Sequence, residues 1–351
     1  MNYPKNILIV RSDRIGDVVL SLPMAEIIKK HYPNCKVTYL VRSYTESLVK
    51  DHPFIDKVLV LKEKNQRIKF FSNIRQITAN KFDYSIIVYP TILISLIIFF
   101  SGIKQRIGTG YRWYSFLFNM KNFTHRKFAE KHEIEFNIDL LKKLGIDENI
   151  SKDNVTFNLQ INAESKRFVD KVLFESGVDR SKKLIIVHPG SGGSAEDLPV
   201  LKYKELLNMF NSEPNVQIIL TGSKFEFNLC EELKVNNSIK NFAGKFNLSE
   251  LIALIGYCDV FISNSTGPLH IAAALGKYVI GFYPKILACS AKRWGPYSNN
   301  SLVFEPKLDC EDCTAQTCER LHCMDSIDIK SVFAEINNLN KFTVNNGEIN
   351  E

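Results

Sequence analysis

The sequence predicts an α/β protein made of two Rossmann-like domains, and three observations carry that expectation. Short apolar runs alternate with amphipathic segments along the 351 residues, the pattern of a parallel sheet covered by helices. The alternation stops over the polar stretch Asp147–Asn162 and restarts at Leu184. The length suits two domains of ordinary size better than one. The first domain is expected over residues 1–160 and the second over 161–342, followed by a polar tail, 343–351, that frays. Two such domains face each other across a cleft, and ligands of such sheets bind beyond the carboxyl ends of the strands.

Each element has a local reason. Ile7–Val10, Val37–Val41 and Val58–Leu61 are apolar runs too short for helices, and they read as buried strands. Val18–His31 is amphipathic at helical spacing. Tyr84–Ile103 holds no charged residue and matches a membrane span in length. Pro90 and Thr91 divide it, so it reads as a strand, Ser85–Tyr89, and a buried helix, Ile92–Phe100, too short to cross a bilayer. Glu133–Leu144 is a further helix of the first domain. In the second, the helix Ala163–Ser176 precedes strands at Leu184–His188, Val216–Thr221, Val260–Ser263 and Tyr278–Phe282, with helices at Lys202–Asn211 and Leu248–Cys258.

A chain that is 45% hydrophobic and 24% charged is ordinary for a globular protein. No secretory signal precedes Ile7, and the eight cysteines do not form the framework of a small secreted domain, so a cytoplasmic protein is expected. The net charge of +7 is uneven. Lys62 to Lys131 carries 13 Lys and Arg against 3 Asp and Glu, a local excess of +10, interleaved with aromatic residues. That pattern suits a solvated basic face or a surface for an anionic partner. No helix-turn-helix, zinc-finger or RNA-binding signature accompanies it, so nucleic acid is disfavoured. A membrane surface or an anionic glycolipid fits better.

The most informative stretch is Asn264-Ser265-Thr266-Gly267-Pro268-Leu269-His270, between a strand and a small-residue helix. A turn there offers unpaired backbone N–H groups and the positive end of a helix dipole, which makes an anion site. Ser265 or Thr266 is the natural N-cap, and Pro268 suits a first helical turn. A capped helix that binds nothing is the plainer alternative, but a second turn of the kind follows another strand. His188-Pro189-Gly190-Ser191-Gly192-Gly193-Ser194-Ala195 holds three glycines and two serines, a loop able to lay several N–H groups against one phosphate cluster. Two such loops suit a diphosphate. Neither is a Walker A loop, since no Gly-Lys-Ser/Thr occurs.

Three further features carry chemistry. After the first strand, Gly16-Asp17 places a carboxylate at the start of a helix, as an N-cap or as a general base at a cleft edge. Glu226, after Thr221-Gly222, is either solvated or holds a ribose hydroxyl pair. Cys310, Cys313, Cys318 and Cys323, with His322, are spaced so that zinc is permitted, but the paired C-x2-C knuckles of a zinc site are missing, and buried thiols or a disulfide are favoured over a metal. Cys35, Cys230, Cys258 and Cys289 are scattered and read as packing residues.

Taken together, these motifs resemble glycosyltransferase family 9, the ADP-heptose heptosyltransferases of lipopolysaccharide synthesis. The resemblance runs from Ile7 to about Val332 and rests on Ile15-Gly16-Asp17-Val18-Val19 with Pro23, His188–Ser194, Asn264–His270, Trp294-Gly295-Pro296 and Cys323-Met324-x2-Ile327. It implies a GT-B fold, with the acceptor in the first domain and an ADP-sugar donor in the second. It implies inversion at the anomeric carbon with no cofactor or metal required. Asp17 is then the base. Ser191, Gly192, Gly193, Ser194, Ser265, Thr266, Gly267 and His270 hold the diphosphate, and Glu226 and Phe246 meet ribose and base. Phe128, His132 and the basic run Lys104–Lys131 fall on the acceptor side. An anionic glycolipid acceptor places the enzyme at the inner face of the cytoplasmic membrane. The chain departs from the family in one place. Several members carry Lys-x-Trp-Pro after the second-domain loop, where this sequence reads Glu196-Asp197-Leu198-Pro199. Either Lys285 or Arg293 substitutes for the missing cation, or the donor is held differently. The same plan also suits a nucleotide-sugar epimerase or hydrolase, or a non-catalytic binding protein.

Overall fold

The computed structural model describes residues 3–210, 212–308 and 313–344. The chain forms two compact units, the first ending at Asn162 and the second starting at Ala163. In the first unit the strands are β1 (Asn6–Val10), β2 (Lys36–Val41), β3 (Lys57–Val60), the hairpin β4 (Glu63–Lys64) and β5 (Arg67–Ile68), β6 (Tyr84–Ile87), β7 (Gln105–Thr109) and β8 (Met120–Asn122). In the second they are β9 (Lys183–His188), β10 (Val216–Leu220), β11 (Lys240–Asn241), β12 (Val260–Asn264), β13 (Tyr278–Phe282) and β14 (Ser301–Phe304).

Each unit holds one six-stranded sheet, in the orders β3-β2-β1-β6-β7-β8 and β11-β10-β9-β12-β13-β14. Every neighbouring pair in both sheets is parallel. Without the hairpin the two orders are the same, the doubly wound order of the Rossmann fold. The order reverses between β1 and β6 in one sheet and between β9 and β12 in the other. At such a reversal the loops leaving the two adjacent strands diverge to opposite faces and open a crevice. Ile7, Leu8, Ile9 and Val10 are all buried, as a central parallel strand covered on both faces requires.

Some elements differ from expectation. Val18–His31 is two helices, Ile15–Val19 and Pro23–His31. Pro23 has no N–H to give to a continuing helix and starts the second one instead. The helix at Glu133 ends at Asp139, tightens into a 3₁₀ turn at Leu140–Leu144, and stops at Gly145 with φ +80°. β7, β8, β11 and β14 lack long apolar runs because they lie toward the sheet edges, where one side stays partly wet. Tyr84–Ile103 is a strand and the nine-residue helix Ile92–Phe100. Among the described residues, no helix is long and apolar enough to cross a membrane. The last helix, Ile329–Val344, includes Thr343 and Val344 of the expected tail; residues 345–351 lie outside the described residues, as does Cys310.

Candidate active site

In the second unit every expected site residue follows the carboxyl end of a strand. The loop after β12 starts the helix Gly267–Ala274, with Thr266, not Ser265, as N-cap: its Oγ1 accepts from the Leu269 N–H at 3.4 Å. Ser263 Oγ lies 3.0 Å from Thr266 Oγ1. Ser265, Thr266 and His270 are buried, and the Ser265 side chain is hydrogen-bonded to Tyr283.

The loop after β9 bends through Gly192 and Gly193 at φ +58° and +76°, left-handed values that glycine adopts without strain. Asn264, fully buried, ties this loop to the one after β12. Its amide donates to the carbonyl of Pro189, and its Oδ1 accepts from the Leu198 N–H at 2.9 Å. The two anion-type loops thus flank the switch point between β9 and β12 and are held by one side chain.

Glu226 follows β10. Its Oε2 accepts from the Ser223 N–H at 2.6 Å as part of a capping box. A Cβ built on Gly190 would stand 1.8 Å from Glu226 Oε1, so Gly190 admits this carboxylate beside the loop. Burial lowers the pKa of His188 to about 4 against the raising effect of Glu226, and its Nδ1 lies 3.0 Å from Thr221 Oγ1. His188 is therefore a neutral structural imidazole at physiological pH. Phe246, after β11, packs against Phe242 and Phe168 with centroids 5.6 and 6.3 Å away.

The segment after the glycine loop is acidic in space as well as in sequence. The Ser191 N–H donates to Asp197 Oδ2 at 3.3 Å. Desolvation raises the Asp197 pKa, the bonds from Ser191 lower it, and Glu226 and Glu196 raise it, for a net upward shift. Lys285 Nζ donates to the Leu308 carbonyl at 3.1 Å, and the Arg293 guanidinium lies 4.8 Å from the Trp294 ring centroid. Both cations stand after β13, on the same carboxyl edge.

In the first unit the chain after β1 centres on Arg11, a fully buried guanidinium. It pairs with Asp17, with Asp13 at 2.8 Å and with Glu133 at 3.5 Å. Arg126 adds a second cation at 2.6 Å from Glu133. Asn137 Oδ1 accepts from Arg11 at 3.3 Å and from Arg126 at 3.1 Å. Asp17 lies inside the helix Ile15–Val19, whose N-cap is Arg14, so it is not the cap. Burial drives the Asp13 pKa up to about 7, Arg11 opposes this, and Asp17 and Glu133 add to it. Arg11, Glu133 and Asn137 were not legible as partners of this cluster, because more than 120 positions separate the strand end from the helix that completes it. The closest hint was an arginine ending a buried strand just before two aspartates.

His132, expected on the acceptor side, is the buried N-cap of Glu133–Asp139; its Nδ1 accepts from the Ile134 N–H at 3.3 Å. Phe128 is exposed. Cys313 is half-buried, and Cys318 and Cys323 are buried. Among the described residues, no three His, Cys, Asp or Glu side chains form a metal-holding group. Cys35, Cys230 and Cys258 are buried packing residues, whereas Cys289 is only half-buried.

Two parallel sheets of one strand order, with the expected site residues after the carboxyl ends of their strands, define a GT-B protein. The chain belongs to glycosyltransferase family 9 (heptosyltransferase), whose model matches residues 70–324, and it is a glycosyltransferase. Asp17 precedes the matched stretch. A putative glycosyltransferase of Haemophilus influenzae is 31% identical over 84% of this chain and 87% of its own length. Lipopolysaccharide heptosyltransferase 3 of Escherichia coli is 23% identical over 82% of this chain and 85% of its own. Two solved structures share the fold at 19% identity. The family 9 glycosyl transferase of Veillonella parvula has a TM-score of 0.80, covering 95% of this chain and 97% of its own. The ADP-heptose lipopolysaccharide heptosyltransferase II of E. coli has a TM-score of 0.76, covering 95% and 98%.

Proposed function

We propose that this protein is an inverting heptosyltransferase that moves heptose from ADP-heptose to a hydroxyl of a lipopolysaccharide-core or related anionic glycolipid. The observation that carries the reading is the pair of anion-type loops joined through Asn264. The second domain holds the donor. The loop Ser191–Ser194, through the N–H groups of Gly192 and Gly193, and the helix start at Ser265, Thr266 and Gly267 hold the diphosphate, with His270 behind them. Glu226 takes the ribose hydroxyls and Phe246 borders the base.

The first domain takes the acceptor, and Asp17 accepts the proton of its attacking hydroxyl. That oxygen bonds to the anomeric carbon from the side opposite ADP, the carbon–oxygen bond to ADP breaks, and ADP leaves with the electron pair. Negative charge builds on the leaving diphosphate, so fixed N–H dipoles aimed at it lower the barrier. They supply the stabilisation a metal would otherwise give, and no metal is required in this scheme. Lys285 and Arg293 supply cationic charge in place of the family lysine. The acceptor is an anionic glycolipid, so the enzyme works in the cytoplasm at the inner membrane face.

A thermal-shift panel of nucleotide sugars tests the donor. A ligand at a hundred times its dissociation constant adds about 2.7 kcal/mol, and the largest shift is expected with ADP-heptose. No shift with any ADP-sugar would overturn the donor assignment. Product analysis then separates transfer from epimerisation or hydrolysis, which need no acceptor.

A further inference from the structure

The helix Ile92–Phe100 carries no charged residue. Ile94, Ile97 and Ile98 fill the core of the first domain, but another side of the helix is uncovered, with Phe99 and Phe100 41% and 59% exposed. The helix Phe70–Thr78 packs beside it and adds Phe71, 81% exposed. The Phe70 ring joins them, 5.3 Å from Phe71 and 6.0 Å from Phe100. The chain between β7 and β8 packs on the same helix through Ser115–Leu117 and adds Trp113 and Phe116, 76% and 67% exposed. Water-facing rings in such a group mark an interaction surface.

The chain segment that carries most of these rings has charge of one sign. Tyr84 to Ala129 contains six Lys and Arg and no Asp or Glu. Lys69 and Arg75, beside Phe71 in the chain, are exposed, and the Arg106 guanidinium lies 5.1 Å from the Phe99 ring centroid. A second copy of the chain would press two basic faces together, which like-charge repulsion opposes. An anionic lipid surface complements both features, since Phe and Trp enter the headgroup boundary and Lys and Arg meet the phosphates.

We propose that this face docks the protein on an anionic phospholipid bilayer. The proposal rests on the membrane-face reading of the acceptor, and not on which sugar is transferred. The test is co-sedimentation of the full chain with vesicles of phosphatidylglycerol and phosphatidylethanolamine, against vesicles of phosphatidylcholine alone. Binding is expected only to the anionic vesicles and weakens with salt. Phe71→Ser with Phe100→Ser lowers the partition by about tenfold. Lys69→Glu with Arg75→Glu lowers it by a similar factor of about ten. Circular dichroism and the unfolding midpoint remain those of the parent. Absence of binding to the anionic vesicles, or equal binding by parent and both double variants, overturns the proposal. Self-association lost in the Phe variant, without vesicle binding, also overturns it and assigns the face to a second copy. Turnover with a detergent-dispersed acceptor, followed in parallel, separates this from the transferase reading: failed docking leaves turnover intact, and failed transfer leaves vesicle binding intact.

Discussion

The side-chain amide of Asn264 donates to the carbonyl of Pro189, so the last residue of β12 holds the loop that leaves β9. The same side chain accepts from the Leu198 N–H. Asn264→Ala strips partners from two backbone groups in a buried setting. Each unsatisfied group costs about 1–3 kcal/mol, so urea unfolding should show a loss of about 2–6 kcal/mol. ADP binding should weaken beyond what partial unfolding explains. An ADP affinity equal to the parent's in folded Asn264→Ala would separate the tie from the ligand site.

Asp17 and Arg11 divide chemistry from architecture. Asp17→Asn keeps the size of the side chain and removes its basicity. Transfer should fall by about 10²–10⁴-fold, the usual contribution of a general base, while the ADP-induced thermal shift stays as in the parent. Arg11→Met acts on folding, because it removes one cation from buried Glu133 and Asp13, while Arg126 stays paired with Glu133. Breaking a buried pair from one side costs about 3–5 kcal/mol, read by chemical denaturation. Full turnover in Asp17→Asn would remove it as the base.

The two-sheet plan was legible because central parallel strands such as β1, β9 and β12 are short apolar runs that alternate with longer amphipathic segments. Edge strands such as β11 and β14 were not, since they are short and half-wet. The loops at Gly190–Ser194 and Ser265–Gly267 were legible because each concentrates glycine or hydroxyl residues just after a buried strand. The link between them was not. Asn264 looks like any polar residue at a strand end until the sheet order places β9 beside β12. Asp197 was hidden for a related reason: its bond to Ser191 exists only after the glycine loop folds back.

Asp197 makes donor binding depend on pH. Its pKa is raised, and an arriving diphosphate raises it further, so binding is tied to proton uptake. Affinity for an ADP-sugar, whose diphosphate diester keeps constant charge over this range, should therefore fall as pH rises through the titration of Asp197. Asp197→Asn should remove that dependence and tighten binding by about fivefold, a Coulomb repulsion discounted because the side chain is partly exposed. Isothermal titration across the range reads both. Weaker binding in the variant would mean that Asp197 orders the loop and does not oppose the ligand.

Asp13 makes stability depend on pH with a definite sign. Burial raises its folded pKa from 3.8 to about 7, against Arg11 and with help from Asp17 and Glu133. The folded protein therefore holds a proton that the unfolded chain releases at 3.8. The associated stabilisation is complete below that lower value and disappears as pH rises through about 7. Unfolding free energy should fall with pH across this window and level off above it. Asp13→Asn, neutral at every pH, should flatten the slope and be the more stable protein on the alkaline side. Urea titrations of both proteins between about pH 5 and pH 8 measure the difference. An unchanged slope in Asp13→Asn would assign the dependence to another group.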